Sequence, residues 1–215
     1  MEERKIQSKR RYLWALIIGT AIFILVFGIS YSISYLEFQR VSNLQSRVAY
    51  SIFEDKLDYS LFNLGRCSDE SFKKISNDLS FQGRIIDDLE RKLGKQNRLV
   101  LERKKFYTLV ELEHLEFVNM LNEQCNNGIN TILFFYSNDN KDLTKSEDTG
   151  KILDVLYGRH RKDLIIYSFD VNLDSDLIEK LKEKYNVKSS STLIVNGKAP
   201  LYKPKNINEI EELLN

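Results

Sequence analysis

Thr131-Ile132-Leu133-Phe134-Phe135-Tyr136 is an uncharged run rich in β-branched and aromatic residues. Asn126-Asn127-Gly128 precedes it as a turn, and the polar stretch 137–148 follows. A short continuous apolar run between such boundaries reads as a strand covered on both faces. Downstream the period alternates. A helix near residues 149–157 turns Ile152, Val155 and Leu156 inward, and Leu164-Ile165-Ile166-Tyr167-Ser168-Phe169 is a second buried strand. A helix over 174–184 carries Leu177, Ile178 and Leu181, and Thr192-Leu193-Ile194-Val195 is a third strand. Asn196-Gly197 is a hairpin signal, Leu201-Tyr202 a fourth strand, and 207–214 a closing amphipathic helix. The order β-α-β-α-β-β-α predicts an α/β domain over residues 129–215, its first two crossovers right-handed and parallel and its hairpin adding an antiparallel edge.

Upstream the spacing is helical. Phe72, Ile75, Leu79, Ile86, Leu89 and Leu93 recur at steps of three and four, with Gln82 the polar interruption of the seam. Ser68 is a candidate N-cap, with Asp69 and Glu70 in the first turn. Gly94-Lys95-Gln96-Asn97 breaks the pattern, and a second helix runs from Arg98 to about Gln124 with Leu99, Phe106, Val110, Phe117 and Met120 or Leu121 on one side. So short a connection predicts an antiparallel hairpin over 68–125. Its charge-dense turns, 89–95 and 102–105, read as solvated faces without chemistry. The hairpin brings Cys67 and Cys125, the only cysteines, to its open end. Outside the cytosol a bridge between them closes the hairpin and contributes on the order of 2–4 kcal/mol. A redox-active pair and two free thiols stay open as alternatives, while the fifty-seven intervening residues exclude a local CxxC site.

Residues 12–36 contain no ionisable acid or Lys/Arg/His base. About 20 apolar residues suffice to cross the bilayer core as a helix, so this stretch is long enough to be a single transmembrane segment, with Tyr12, Trp14, Tyr31 and Tyr35 at the interfaces. No Ala-x-Ala pattern follows it, against a cleaved signal peptide. The basic tail 1–11 carries Arg4, Lys5, Lys9, Arg10 and Arg11, while only Arg40 and Arg47 follow shortly after the span. That asymmetry predicts a cytoplasmic N-terminus in the cell membrane and an extracytoplasmic bulk. Residues 37–64 continue a loose helical pattern into the aqueous phase.

With 32 basic against 31 acidic residues, bulk charge does not point to nucleic acid. His114 and His160 lie apart and read as surface residues, so no metal site is expected. Asp170, Asp174 and Asp176 lack the Gly and Glu of a calcium loop, and N-capping by Asp174 is the expected role. Ser189 to Ser191 has no partnering base, and no Gly-rich phosphate loop occurs.

The segment Tyr185-Asn186-Val187-Lys188-Ser189-Ser190-Ser191-Thr192-Leu193-Ile194-Val195-Asn196-Gly197 resembles the second half of a thioredoxin-fold domain, in which Tyr-x-Val precedes a cis-proline, Thr, an apolar strand and a turn. The resemblance covers roughly 129–215 and implies that fold. It departs where the family's chemistry lives. Ser137-Asn138-Asp139-Asn140 stands where the CxxC would, and Ser191 replaces the proline, for which a trans bond is expected. The resemblance therefore argues against oxidoreductase activity and a cofactor. It implies instead a binding or scaffold protein that docks a protein or peptide through loops containing Asn138, Asp139, Ser190 and Ser191. A thiol-disulfide exchange protein using Cys67 and Cys125 is the second expectation, and homo-oligomerisation through the 72–93 seam a third.

Overall fold

The computed structural model describes residues 9–62, 69–125 and 128–214. The chain divides into two compact units, Met1–Leu44 and Gln45–Asn215. Helix α1 spans Lys9–Phe62, and its portion Arg11–Leu36 is long and apolar enough to cross a membrane, with none of its side chains buried in the protein. Ser32 donates to the Gly28 carbonyl at 2.8 Å, the usual way a hydroxyl in an apolar helix is satisfied.

In the second unit, α2 (Asp69–Leu93) and α3 (Arg98–Cys125) form an antiparallel hairpin. Gly94 takes the left-handed conformation at φ +89° and its N–H returns to the Glu90 carbonyl, ending α2. Asn97 caps α3, its Oδ1 accepting the Leu99 N–H at 2.9 Å. Pairing across the hairpin joins Ser76 to His114 and the Tyr107 hydroxyl to the Leu79 carbonyl. A Cβ at Gly83 would lie 2.9 Å from that hydroxyl, so any larger residue there would oblige Tyr107 to shift.

The α/β part follows as β1 (Asn130–Tyr136), α4 (Leu143–Arg159), β2 (Leu164–Asp170), α5 (Asp176–Lys184), β3 (Thr192–Val195), β4 (Leu201–Tyr202) and α6 (Asn208–Leu214). The sheet is four-stranded and mixed, in the order β2-β1-β3-β4. β1 and β2 are parallel, Asn130 opposite Leu164 and Tyr136 opposite Asp170. The second connection does not give a parallel strand, contrary to the sequence expectation: β3 runs antiparallel to β1, with Thr192 opposite Phe135. The reason lies at the end of α5. Asn186 is left-handed at φ +52°, and the N–H groups of Val187 and Asn186 return to the carbonyls of Lys182 and Glu183, a Schellman closure. Residues 185–191 then bring the chain back to the sheet end where β2 finished. At the start of α5 the N-cap position belongs to Ser175 rather than Asp174. Asn196 and Gly197, both with positive φ, turn β3 toward β4, and the Lys198 N–H closes onto the Val195 carbonyl.

The period of two sorts the core into two layers. Leu133, Phe135, Tyr167, Phe169 and Ile194 pack toward α5 and α3, in a cluster that also takes in Ile52 of α1 and Leu79 of α2. Ile132, Phe134, Leu164, Leu193 and Val195 pack against Leu153 and Leu156 of α4 and Ile210 of α6.

Candidate functional site

Where β1 and β2 end, the loop after β1, the residues after β2 and the tip of the helical hairpin converge. Lys104 of α3 is 5% exposed, yet it pairs with Glu90 of α2 and, at 2.7 Å, with Asp170 of β2. Its ammonium also lies 5.2 Å from the centre of the Tyr136 ring. Burial works against the ammonium charge, and the two carboxylates outweigh it, so the Lys104 pKa is raised. Glu90 and Lys104 belong to the two charge-dense turns that sequence alone assigns to solvent. Lys104 is buried and Glu90 half-buried because each supplies the other's counter-charge.

Around this triad the loop is tied by amides and hydroxyls. Asn138 Nδ2 donates to Asp170 at 3.0 Å and to Glu90 at 3.3 Å. Ser137, itself buried, donates from its hydroxyl to Asn172 Oδ1 at 2.6 Å, while its N–H donates to the Ser146 hydroxyl. Asn172 donates in turn to Asp139. A second loop reaches the same end of the sheet. Asp142 is held below the ordinary carboxylate range chiefly by its bond to Lys145, with a smaller contribution from Ser190. Ser191 has φ +60° in a peptide chain with no cis bond among the described residues, and its buried hydroxyl has no hydrogen-bond partner.

The four residues expected in docking loops thus lie at one end of the sheet with different surroundings. Asp139 is exposed, Asn138 is drawn toward Glu90 and Asp170, and Ser190 and Ser191 are buried. Cys125 ends α3, half-buried beside Phe117, Val118 and Leu121. Cys67, and Ser68 with it, lies outside the described residues.

Farther along α3, two more buried polar residues face β2. Glu111 Oε1 accepts the Ser168 N–H at 2.9 Å, whereas Oε2 has no partner. Burial pushes the Glu111 pKa well above the carboxylate range, against the opposing Ser168 hydrogen bond. His114 is wholly buried, not a surface residue as sequence suggests. Its ring nitrogens meet the Tyr167 hydroxyl at 2.8 Å and the Ser76 hydroxyl at 3.2 Å, and burial lowers its pKa to about 4. Groups of three or more His, Cys, Asp or Glu suited to a metal ion do not occur among the described residues. A signal for these positions was present: Val100, Lys104, Thr108, Glu111, Leu115 and Val118 repeat at four, four, three, four and three, one helical face with polar members.

No known protein family, curated protein or solved structure matches this chain. The chemistry at the sheet end is that of a fixed polar cluster. Lys104 is held protonated between two acids and is no nucleophile, and the seryl hydroxyls of the loop are committed to neighbours or sit without a base.

Proposed function

We propose that this chain is a single-pass, membrane-anchored and redox-inactive thioredoxin-like binding protein, with a cytoplasmic N-terminus and its bulk on the extracytoplasmic side. The observation that carries the reading is the combination of element order β-α-β-α-β-β-α and sheet order β2-β1-β3-β4 with Ser137-Asn138 and Ser191 at the positions where the resemblance implies thiols and proline. A retained scaffold without its reactive groups is suited to holding a polypeptide rather than exchanging disulfides with it. The loops carrying Asn138, Asp139, Ser190 and Ser191 form the docking end, and Asp139 is its exposed charge. Cys67 and Cys125 close the hairpin as a structural disulfide.

Two measurements test this. Intact cells treated with a membrane-impermeant maleimide should label the chain only after strong reduction; labelling without reductant sinks the staple, and none after reduction sinks the topology. A very negative cysteine reduction potential is expected, whereas a value in the range of exchange catalysts overturns the binding reading in favour of thiol-disulfide exchange. Affinity capture with the full-length chain in detergent should recover a polypeptide that Asp139→Arg releases; capture unaffected by that charge reversal removes the loops from the docking surface.

A further inference from the structure

Between α2 and α4 a cavity of about 510 Å³ opens over β1 and β2, lined by Phe134 of β1 and by Ile166 and Ser168 of β2. Leu143, Glu147 and Asp154 of α4 line its other side at steps of four and seven, and Gly150, which lines the adjoining hollow, falls on the same helix face between them. A Cβ on Gly150 would meet nothing within 4 Å, so this glycine inside a 17-residue helix leaves space open and serves no close contact. Glu111 of α3 lines the same cavity and is 2% exposed. Its Oε1 is taken by the Ser168 N–H, and its Oε2 is buried without a hydrogen-bond partner. Leaving a buried carboxyl oxygen unpaired costs free energy that a ligand recovers by pairing with it.

Two kinds of ligand answer that oxygen: an N–H donor meeting a carboxylate, or an acceptor meeting a carboxylic acid. The surroundings favour the donor. Lys104, the buried cation of this cavity, is taken by Glu90 and Asp170, and Arg84 lies over the Phe81 ring. Burial raises the Glu111 pKa with no neighbouring cation opposing it. Phe134, Tyr107 and Tyr136 line the cavity, and aromatic faces attract cations, as the Tyr136 ring already does for Lys104. The other lining charges do not choose a sign, since Asp87 pairs with Arg91, and Arg84 and Lys95 balance Glu147 and Asp154. Selection therefore falls to Glu111. A carboxyl so enclosed admits only a narrow head group, which an –NH3+ is and a methylated ammonium is not.

We propose that this cavity binds a small primary amine as its ammonium ion, which donates to Glu111 Oε2 while its apolar body lies on Phe134 and Ile166. In the complex Glu111 is a carboxylate, and a proton that it holds in the empty cavity passes to water as the ammonium enters. The contact is a charge-assisted hydrogen bond in a site of low dielectric. It does not depend on a polypeptide docking at the loops, so either proposal can fail without the other.

The test uses the full-length chain in neutral detergent micelles, with empty micelles as the blank, and three probes: benzylamine, benzyl alcohol and benzyltrimethylammonium. Calorimetric titration should show benzylamine binding about tenfold or more tighter than either of the others, the margin of a charge-assisted hydrogen bond over a neutral or blocked one. In the benzylamine complex the NMR resonance of the Glu111 carboxyl carbon should stand at its carboxylate position, a readout that needs no variant. Glu111→Gln, which keeps an acceptor for the Ser168 N–H, should bring benzylamine down to the level of benzyl alcohol. Gly150→Phe should fill the open space and remove benzylamine binding. Absence of benzylamine binding, equal or tighter binding of either other probe, a protonated Glu111 in the benzylamine complex, or benzylamine binding indifferent to Glu111→Gln overturns the proposal.

Discussion

One face of this sheet and its β2 edge beside α3 are covered by different means. Against α4 and α6 the contact is made chiefly by Ile132, Phe134, Leu153, Leu156, Leu193 and Ile210, an apolar layer. Against α3 the cover includes Lys104, Thr108, Glu111 and His114, all buried. The apolar layer gains from area removed from water and tolerates any side chain of similar volume. The polar layer gains little net energy from its charges but is specific, because each group is tolerated only opposite its own partner. Helix α3 is thereby fixed in one register along β2, with Lys104 at Asp170, Glu111 at Ser168 and His114 at Tyr167.

The largest expected effect separates the two layers directly. Lys104→Ala leaves buried Asp170 and half-buried Glu90 without a counter-charge and should cost about 3–5 kcal/mol in denaturant unfolding. Replacing both acids by their amides in the same variant should recover part of this loss; no recovery breaks the counter-charge argument. Leu156→Ala in the apolar layer should cost about 2–5 kcal/mol by leaving a cavity, and Leu156→Met less than about 1.5 kcal/mol.

Two titrations sharpen the comparison with opposite signs. His114 has a folded pKa of about 4, below the ordinary value near 6.5, so between these values the unfolded chain binds a proton that the folded chain refuses. Stability should fall on acidification from pH 6.5 toward 4, by on the order of 3 kcal/mol, and His114→Gln should flatten that slope; NMR titration of the ring should show it neutral at pH 5. Glu111 is shifted upward, so above about pH 4.5 the unfolded chain releases a proton that the folded one keeps. Its contribution therefore falls as pH rises. Glu111→Gln keeps an acceptor for the Ser168 N–H, and its stability relative to the parent should improve as pH rises above about 4.5; a constant difference would show that Glu111 titrates alike in the folded and unfolded chain.

The same contrast explains what could be read in advance. β3 and β4 stand where their apolar residues and the Asn196-Gly197 turn place them, because a period of two and a left-handed turn are local properties. Helix α4 begins at Leu143, six residues before its apolar spacing becomes visible, since Ser146 faces inward there without being apolar. The direction of β3 depended on where residues 185–191 lead the chain, which no helix pattern encodes. At the sheet end, the loops of Asn138 and Ser190 followed from element order, but Glu90, Lys104, Glu111 and His114 did not. Polarity marks a residue for water until a partner from another element is known, and here the partners lie on β2, 53 to 66 residues later for the α3 groups.

The central strand of the sheet is also the first to be synthesised. β1 leaves the ribosome with both of its edges bare, and Val195, the far end of the strand that covers one of them, emerges 65 residues after Asn130. At about 5–20 residues per second that interval is roughly 3–13 s. Throughout it Ile132 to Phe135 remain an exposed, uncharged β-former to which neighbouring nascent chains can anneal. Holding that strand apart from others of its kind is thus a task for cellular helpers, and overexpression should outrun them.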